Sequence, residues 1–247
     1  MQQNGSDATA NTGGGGGGAS SNTSLASAGG SGGSGIVVVR YIGASAASGG
    51  TVTSGSGTAA GYTLHTFSTV GTSSLTLNAA SAVLSGVISG ANNLTINATN
   101  GTVTLTGTNT MSGLTTLSGG TIRVGNASGT GLLGSGAVVN NATLILDRTN
   151  DFTLVNNISG SGTLTKLLGN VATLTGSNSW SGTTTISAGT LQIGDGGTSG
   201  SLGTGPVVDN AALVFNRSDN LTQNGLISGT GTLTQQGSGT LTLTANN

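Results

Sequence analysis

Cysteine is absent from the 247 residues, proline occurs once, and glutamate does not occur at all. Without cysteine there is no disulfide framework, no thiolate metal site and no cysteine nucleophile. Charged residues make up 4% of the chain and aromatic residues 2%, where an ordinary soluble domain carries roughly 25% charged residues. Five Lys plus Arg against six Asp leave a net charge of −1, so no basic footprint exists and no nucleic-acid partner is expected. No apolar run approaches the roughly 18 residues of a membrane helix, so no membrane insertion is expected. Helical periodicity is nowhere visible. The 48 glycines do not recur every third residue, which excludes collagen.

Glycine, Ser, Thr and Asn fill the space left by these absences. Residues 1–35 are Gly/Ser-rich and low in complexity, with six consecutive glycines at Gly13 to Gly18, and read as a linker. Met1-Gln2-Gln3 is followed by neither basic residues nor an apolar stretch, so no signal peptide is visible. Ile36-Val-Val-Val-Arg-Tyr-Ile42 is a β-branched run, Tyr62-Thr-Leu-His-Thr-Phe67 alternates, and Leu75-Thr-Leu77 follows. Residues 36–77 are therefore predicted to form a small all-β segment.

The remainder repeats itself at an offset of 69 residues. Gly107 to Gly113 matches Gly176 to Gly182, Gly120 to Gly125 matches Gly189 to Gly194, and Gly136 to Arg148 matches Gly205 to Arg217. The units span 91–160 and 161–229, with a partial third copy at 230–247. Residues 161–182, 183–205 and 206–229 divide one unit into pieces of 22, 23 and 24 residues. Each piece ends in glycine and holds short stretches in which Leu or Ile alternates with Thr or Gln, as in Thr190-Leu-Gln-Ile193. Alternation of this kind points one row of side chains inward and the other outward. Short strands joined by tight turns at a fixed period predict a parallel, right-handed β-solenoid over residues 78–247, with coils of about 23 residues. Its narrow core suits a chain poor in aromatics. An antiparallel sandwich has no reason to repeat.

Gly160-Ser-Gly-Thr-Leu-Thr-Lys166, Leu174 to Gly182, Thr184-Thr-Ile186 and Ala188 to Gly194 resemble the autotransporter-associated β-strand repeat, also called the passenger-associated transport repeat. The resemblance implies the β-helical stalk of a secreted surface protein whose repeats assist export. Met111 stands where the family usually has an aromatic residue, and Leu167-Leu168 where it usually has a polar residue and glycine. No C-terminal translocator barrel is expected within this sequence. Gly35 to Tyr41 and Gly61 to Phe67 are similar to glycine-rich modules of phage tail-fibre and bacterial surface proteins, which would allow a virion surface.

Catalysis needs convergent ionisable groups, and none is expected here. His65 reads as one face of a short strand. The best acidic cluster is Asp147-Arg148-Thr-Asn-Asp151, with Asn216-Arg217-Ser-Asp-Asn220 as its counterpart. A glycan lyase would have to use that cluster, but a charge recurring at one turn of each unit reads better as a solvated corner that discourages side-by-side aggregation. Asp195 and Asp209-Asn210 are isolated and lack the nonapeptide pattern of calcium-binding β-rolls, so they read as turns and no metal or cofactor is expected. Thr104/Thr106, Thr173/Thr175 and Thr242/Thr244 raise ice binding, but their spacing puts equivalent pairs three coils apart. Asn97-Ala-Thr99 and similar triplets follow from composition. Trp180 and Met111 occupy equivalent slots, which favours packing. The sequence thus predicts a non-enzymatic, extracellular or cell-surface stalk or fibre segment. Its expected partner is a second copy of itself or the continuation of a longer solenoid. The alternative is an adhesin or tail-fibre protein that binds a cell-surface glycan or receptor.

Overall fold

Thr190-Leu-Gln-Ile193 shows how the alternation is used: Leu191 and Ile193 are fully buried while Thr190 and Gln192 lie half-exposed. The computed structural model describes the backbone of residues 37–42, 47–48, 51–54, 62–67 and 74–77, and the chain over 81–247 apart from residue 92. Side chains are described from residue 81 onward, except at 92 and 100. The linker expected over 1–35 lies outside the described residues. Strands Val37–Ile42 and Thr51–Ser54 both pair antiparallel with Tyr62–Phe67, forming a three-stranded sheet. Among the described residues every element is β.

From Ser74 onward the pairing turns parallel, with strand Ser74–Leu77 in register with Asn93 to Ile96. The parallel ladder therefore begins four residues ahead of residue 78. Each later turn has three sides. Val138–Asn140 stacks on Thr115 to Leu117 on the first side. Thr143–Arg148 stacks between Thr121 to Val124 and Thr163–Lys166 on the second. Phe152–Leu154 stacks on Val171–Leu174 on the third. The result is a parallel β-solenoid of about eight turns. Rungs in such a ladder are about 4.8 Å apart, and the backbone groups inside the stack bond to the turns above and below. Inward residues form columns along the axis, such as Leu84, Leu105, Val124 and Leu146.

The turn is shorter than a division of the repeat by three suggests. Thr143 faces Thr163, twenty positions on, whereas Thr184 faces Val207, twenty-three on. Three turns from Ile122 lead through Leu144 and Leu164 to Thr184. The sequence counterpart of Ile122 is Leu191, which lies one side further round and pairs with Ala172 and Leu213. One 69-residue unit is therefore three turns plus one side. From residue 102 onward counterparts keep their inward or outward role but change face.

Asparagines fasten the corners. Asn109, Asn178 and Asn247, all counterparts, accept hydrogen bonds through Oδ1 from the backbone amides of Ile88, Ile158 and Ile227, each one turn earlier. Asn141, Asp151 and Asn220 accept from the amides of Ser161, Val171 and Thr240 one turn later.

Candidate functional site

The acidic cluster is not a solvated corner. Asp147 is 1% exposed; its Oδ2 accepts from Arg123 at 2.5 Å and from the Ala127 amide at 2.9 Å. Arg148 is 7% exposed. Its guanidinium donates to the carbonyls of Gly131 (2.9 Å) and Gly129 (2.7 Å) and to Asn150 Oδ1 (3.0 Å), and its Cζ lies 4.7 Å from the centre of the Phe152 ring. Desolvation on burial lowers the Arg148 pKa, yet a guanidinium stays charged in proteins. Asp151 turns away to cap Val171. The structure does not assemble these groups into a cleft with a general acid and base. They hold an excursion of the chain over 125–131.

That excursion recurs. Gly125 and Gly131 have positive φ, as do their counterparts Gly194 and Gly200, and Ala127 joins them at 50°. A Cβ on Gly131 would lie 2.5 Å from the Gly125 nitrogen, so only glycine lets the two ends of the loop meet. Arg217 closes the second loop as Arg148 closes the first, donating to the carbonyls of Gly200 and Thr198 (2.6 Å) and to Asp219 (2.6 Å). Arg217 holds the Asp219 carboxyl below the usual carboxylate range. The recurrent arginine is thus a clamp from one turn onto the loop before it. Because a unit adds one side, the two clamps sit on different edges of the solenoid.

Lys166 carries no sequence expectation and is the largest surprise. It is fully buried in an inward column between Leu146 and Ile186. Its Nζ donates to Leu168 O, to Asn170 Oδ1 (2.8 Å) and to Ala188 O (3.4 Å), so every ammonium hydrogen has an acceptor. Burial lowers its pKa, opposed by the nearby Asp151 charge. The signal was present in the alternation: Thr163-Leu-Thr-Lys166 puts the lysine in phase with inward Leu164.

A family model described as the passenger-associated transport repeat matches residues 100–124, 171–193 and 233–247. Those three segments, about a quarter of the chain, are similar to that repeat. The matched segments all lie in the parallel stack. An adhesin, the BmaC autotransporter of Brucella suis biovar 1 (strain 1330), is 47% identical over 87 residues, 34% of this chain. The aligned stretch spans only 2% of that protein. No solved structure matches significantly.

Asp195 Oδ1 accepts from its own loop at Gly197, and the buried Asp209 accepts from the Ala211 amide at 3.1 Å, so both shape turns. No three His, Asp or Glu side chains converge among the described residues. His65 lies in strand Tyr62–Phe67, and its side chain lies outside the described residues. The three Thr pairs fall on three different sides, in strands Asn93–Leu105, Val171–Leu174 and Leu241–Leu243, each with the residue after it. One hydroxyl column, missed by sequence reasoning, does climb rung by rung through Ser81, Thr102, Thr121, Thr143 and Thr163. Its outward neighbour column is Val83, Thr104, Arg123, Ile145 and Thr165, which breaks a flat Thr array for ice. Trp180 and Met111 are both buried. Trp180 Nε1 donates to Thr184 Oγ1 at 3.1 Å, whereas Thr115 Oγ1, the counterpart beside Met111, is buried without a partner.

Proposed function

We propose that this chain is a non-catalytic, rigid spacer within a bacterial surface passenger, standing outside the cell and holding other parts of the protein away from it. One observation carries the reading: every ionisable side chain from residue 81 onward is engaged in fastening its own chain. Charge here stiffens corners, and the outward rows of Thr, Ser and Asn leave a neutral hydrated surface. The repeat family and the adhesin relative support a bacterial surface setting, and neither supports a virion. Electron microscopy of the purified chain tests the spacer: straight rods about 40 Å long, eight rungs at about 4.8 Å, are expected, and compact globules overturn it.

A receptor-binding role is the second reading, favoured by the relative's being an adhesin. Attachment of chain-coated beads to host cells, lost on adding free chain, is the outcome it requires.

A further inference from the structure

Lys166 is the only lysine in the chain, and it is fully buried. A guanidinium in its place would stay charged, whereas an ammonium can lose a proton and become a nucleophile. Burial pushes it that way, lowering the Lys166 pKa against the opposing charge of Asp151. Its Nζ lies 2.8 Å from Oδ1 of Asn170, a side chain that is itself 7% exposed. The carbon bearing that oxygen is an acyl centre. The amide nitrogen on the same carbon is fixed as well: Nδ2 donates to Asn150 O at 2.6 Å and to Val171 O at 3.3 Å. Asp151 is tied to both partners. It follows Asn150 in the chain, its Oδ1 accepts from the Val171 amide at 2.8 Å, and its charge acts on Lys166. An amine, a carboxamide and a carboxylate thus meet at one corner, the first two held out of water.

These are the groups an amide exchange needs. Fixing amine and acyl carbon side by side turns a bimolecular encounter into an effectively unimolecular step, and a carboxylate can carry the proton. The exchange also removes a buried charge, which is costly to keep out of water. The next repeat supplies a contrast. Gln235 and Gly239 stand at the corresponding positions, and Gln235 Nε2 only hydrogen-bonds, to Gly237 O (3.2 Å) and Gly239 O (2.8 Å).

We propose that Lys166 and Asn170 form an intramolecular isopeptide bond that closes this corner covalently. Lys166 passes one proton to the Asp151 carboxylate, and the neutral Nζ forms a bond to Asn170 Cγ. Asp151 hands that proton to Nδ2, the Cγ–Nδ2 bond breaks, and ammonia leaves. The second proton, shed by Nζ as it becomes an amide nitrogen, passes through the Asp151 carboxylate to solvent. No oxidant, reductant or cofactor enters. The cross-link goes beyond the spacer reading and does not depend on it. The test is intact mass spectrometry of the whole chain after incubation, folded, at neutral pH, with digestion of the denatured chain by a lysine-specific endoprotease. The expected mass is the sequence mass less one ammonia, with the loss mapping to the peptide that carries residues 166 and 170. The endoprotease should leave the chain uncut, because its single lysine is blocked. Asp151→Asn, which keeps an acceptor for the Val171 amide, is expected to slow the mass loss about a hundredfold or more with an unchanged thermal midpoint. Asn170→Ala is expected to abolish it. The proposal is overturned if the folded wild-type chain keeps its full mass and is cut after Lys166, or if the ammonia is lost from another residue. An Asp151→Asn chain that cross-links at the wild-type rate overturns the proton route. Rods in the microscope would then still stand, so failure here is separable from failure of the spacer.

Discussion

The two copies of the 69-residue unit do the same structural work with different chemistry. Arg123 and Asp147 form an ion pair in the first copy; their counterparts in the second are Gln192 and Asn216, so both charges are absent together. Gln192 bonds instead within its own corner, to Gly194 O at 2.9 Å. Trp180 satisfies Thr184, whereas Met111 leaves Thr115 unsatisfied. The difference teaches that the unit prescribes where a side chain points and which loop is clamped. It leaves open whether charge, amide or aromatic ring does the job.

The largest effect is expected at Trp180, which has no exposed surface. Trp180→Ala should cost about 3–5 kcal/mol, read from the midpoint of urea unfolding, because the cavity opens in a narrow core and Thr184 loses its donor. Next come the clamps. Arg148→Ala should cost about 1–3 kcal/mol and expose residues 125–131 to protease, with Arg217→Ala having a smaller effect because its side chain is 13% exposed and lacks the Phe152 contact. Equal protease sensitivity in both loops before and after substitution would dissolve the clamp.

The ion pair sharpens the comparison further. Asp147 is buried, so Arg123→Gln alone should destabilise, whereas Arg123→Gln with Asp147→Asn, which copies the second unit, should recover most of that loss. A double-mutant cycle by thermal unfolding measures it, and strict additivity would show that the two charges act independently. At Met111 the sign reverses: Thr115→Val should gain about 1 kcal/mol by removing the unpartnered hydroxyl, while Thr184→Val should lose stability. The smallest effect belongs to Asp219. Its depressed pKa means that its contribution is complete above the unfolded carboxyl value of about 3.9 and fades as pH falls below that. The thermal-midpoint difference between wild type and Asp219→Asn should therefore shrink on acidification, and only slightly overall, because the carboxylate is exposed.

The stacked architecture was legible because two independent periods agreed, alternation within strands and recurrence at 69 residues. The packing role of Trp180 and Met111 was legible from their shared position. The face change between counterparts was not, because turn length depends on corner insertions that a repeat alignment absorbs silently. Dividing 69 by three hides the extra side. The clamps were half legible: an arginine recurs at 148 and 217, and so do the glycine loops before it, but only the folded chain shows guanidinium and carbonyls meeting. Lys166 was overlooked because lysine is seldom fully buried unpaired, and a solvent role is the habitual assumption. What overrode it was a corner rich in unclaimed carbonyls.

A passenger that gains or loses one complete unit changes more than its length. Whatever is mounted beyond the inserted copy swings by a third of a revolution about the long axis, and three copies restore its original heading. Copy number in such a solenoid therefore sets both how far its far end reaches and which way that end looks.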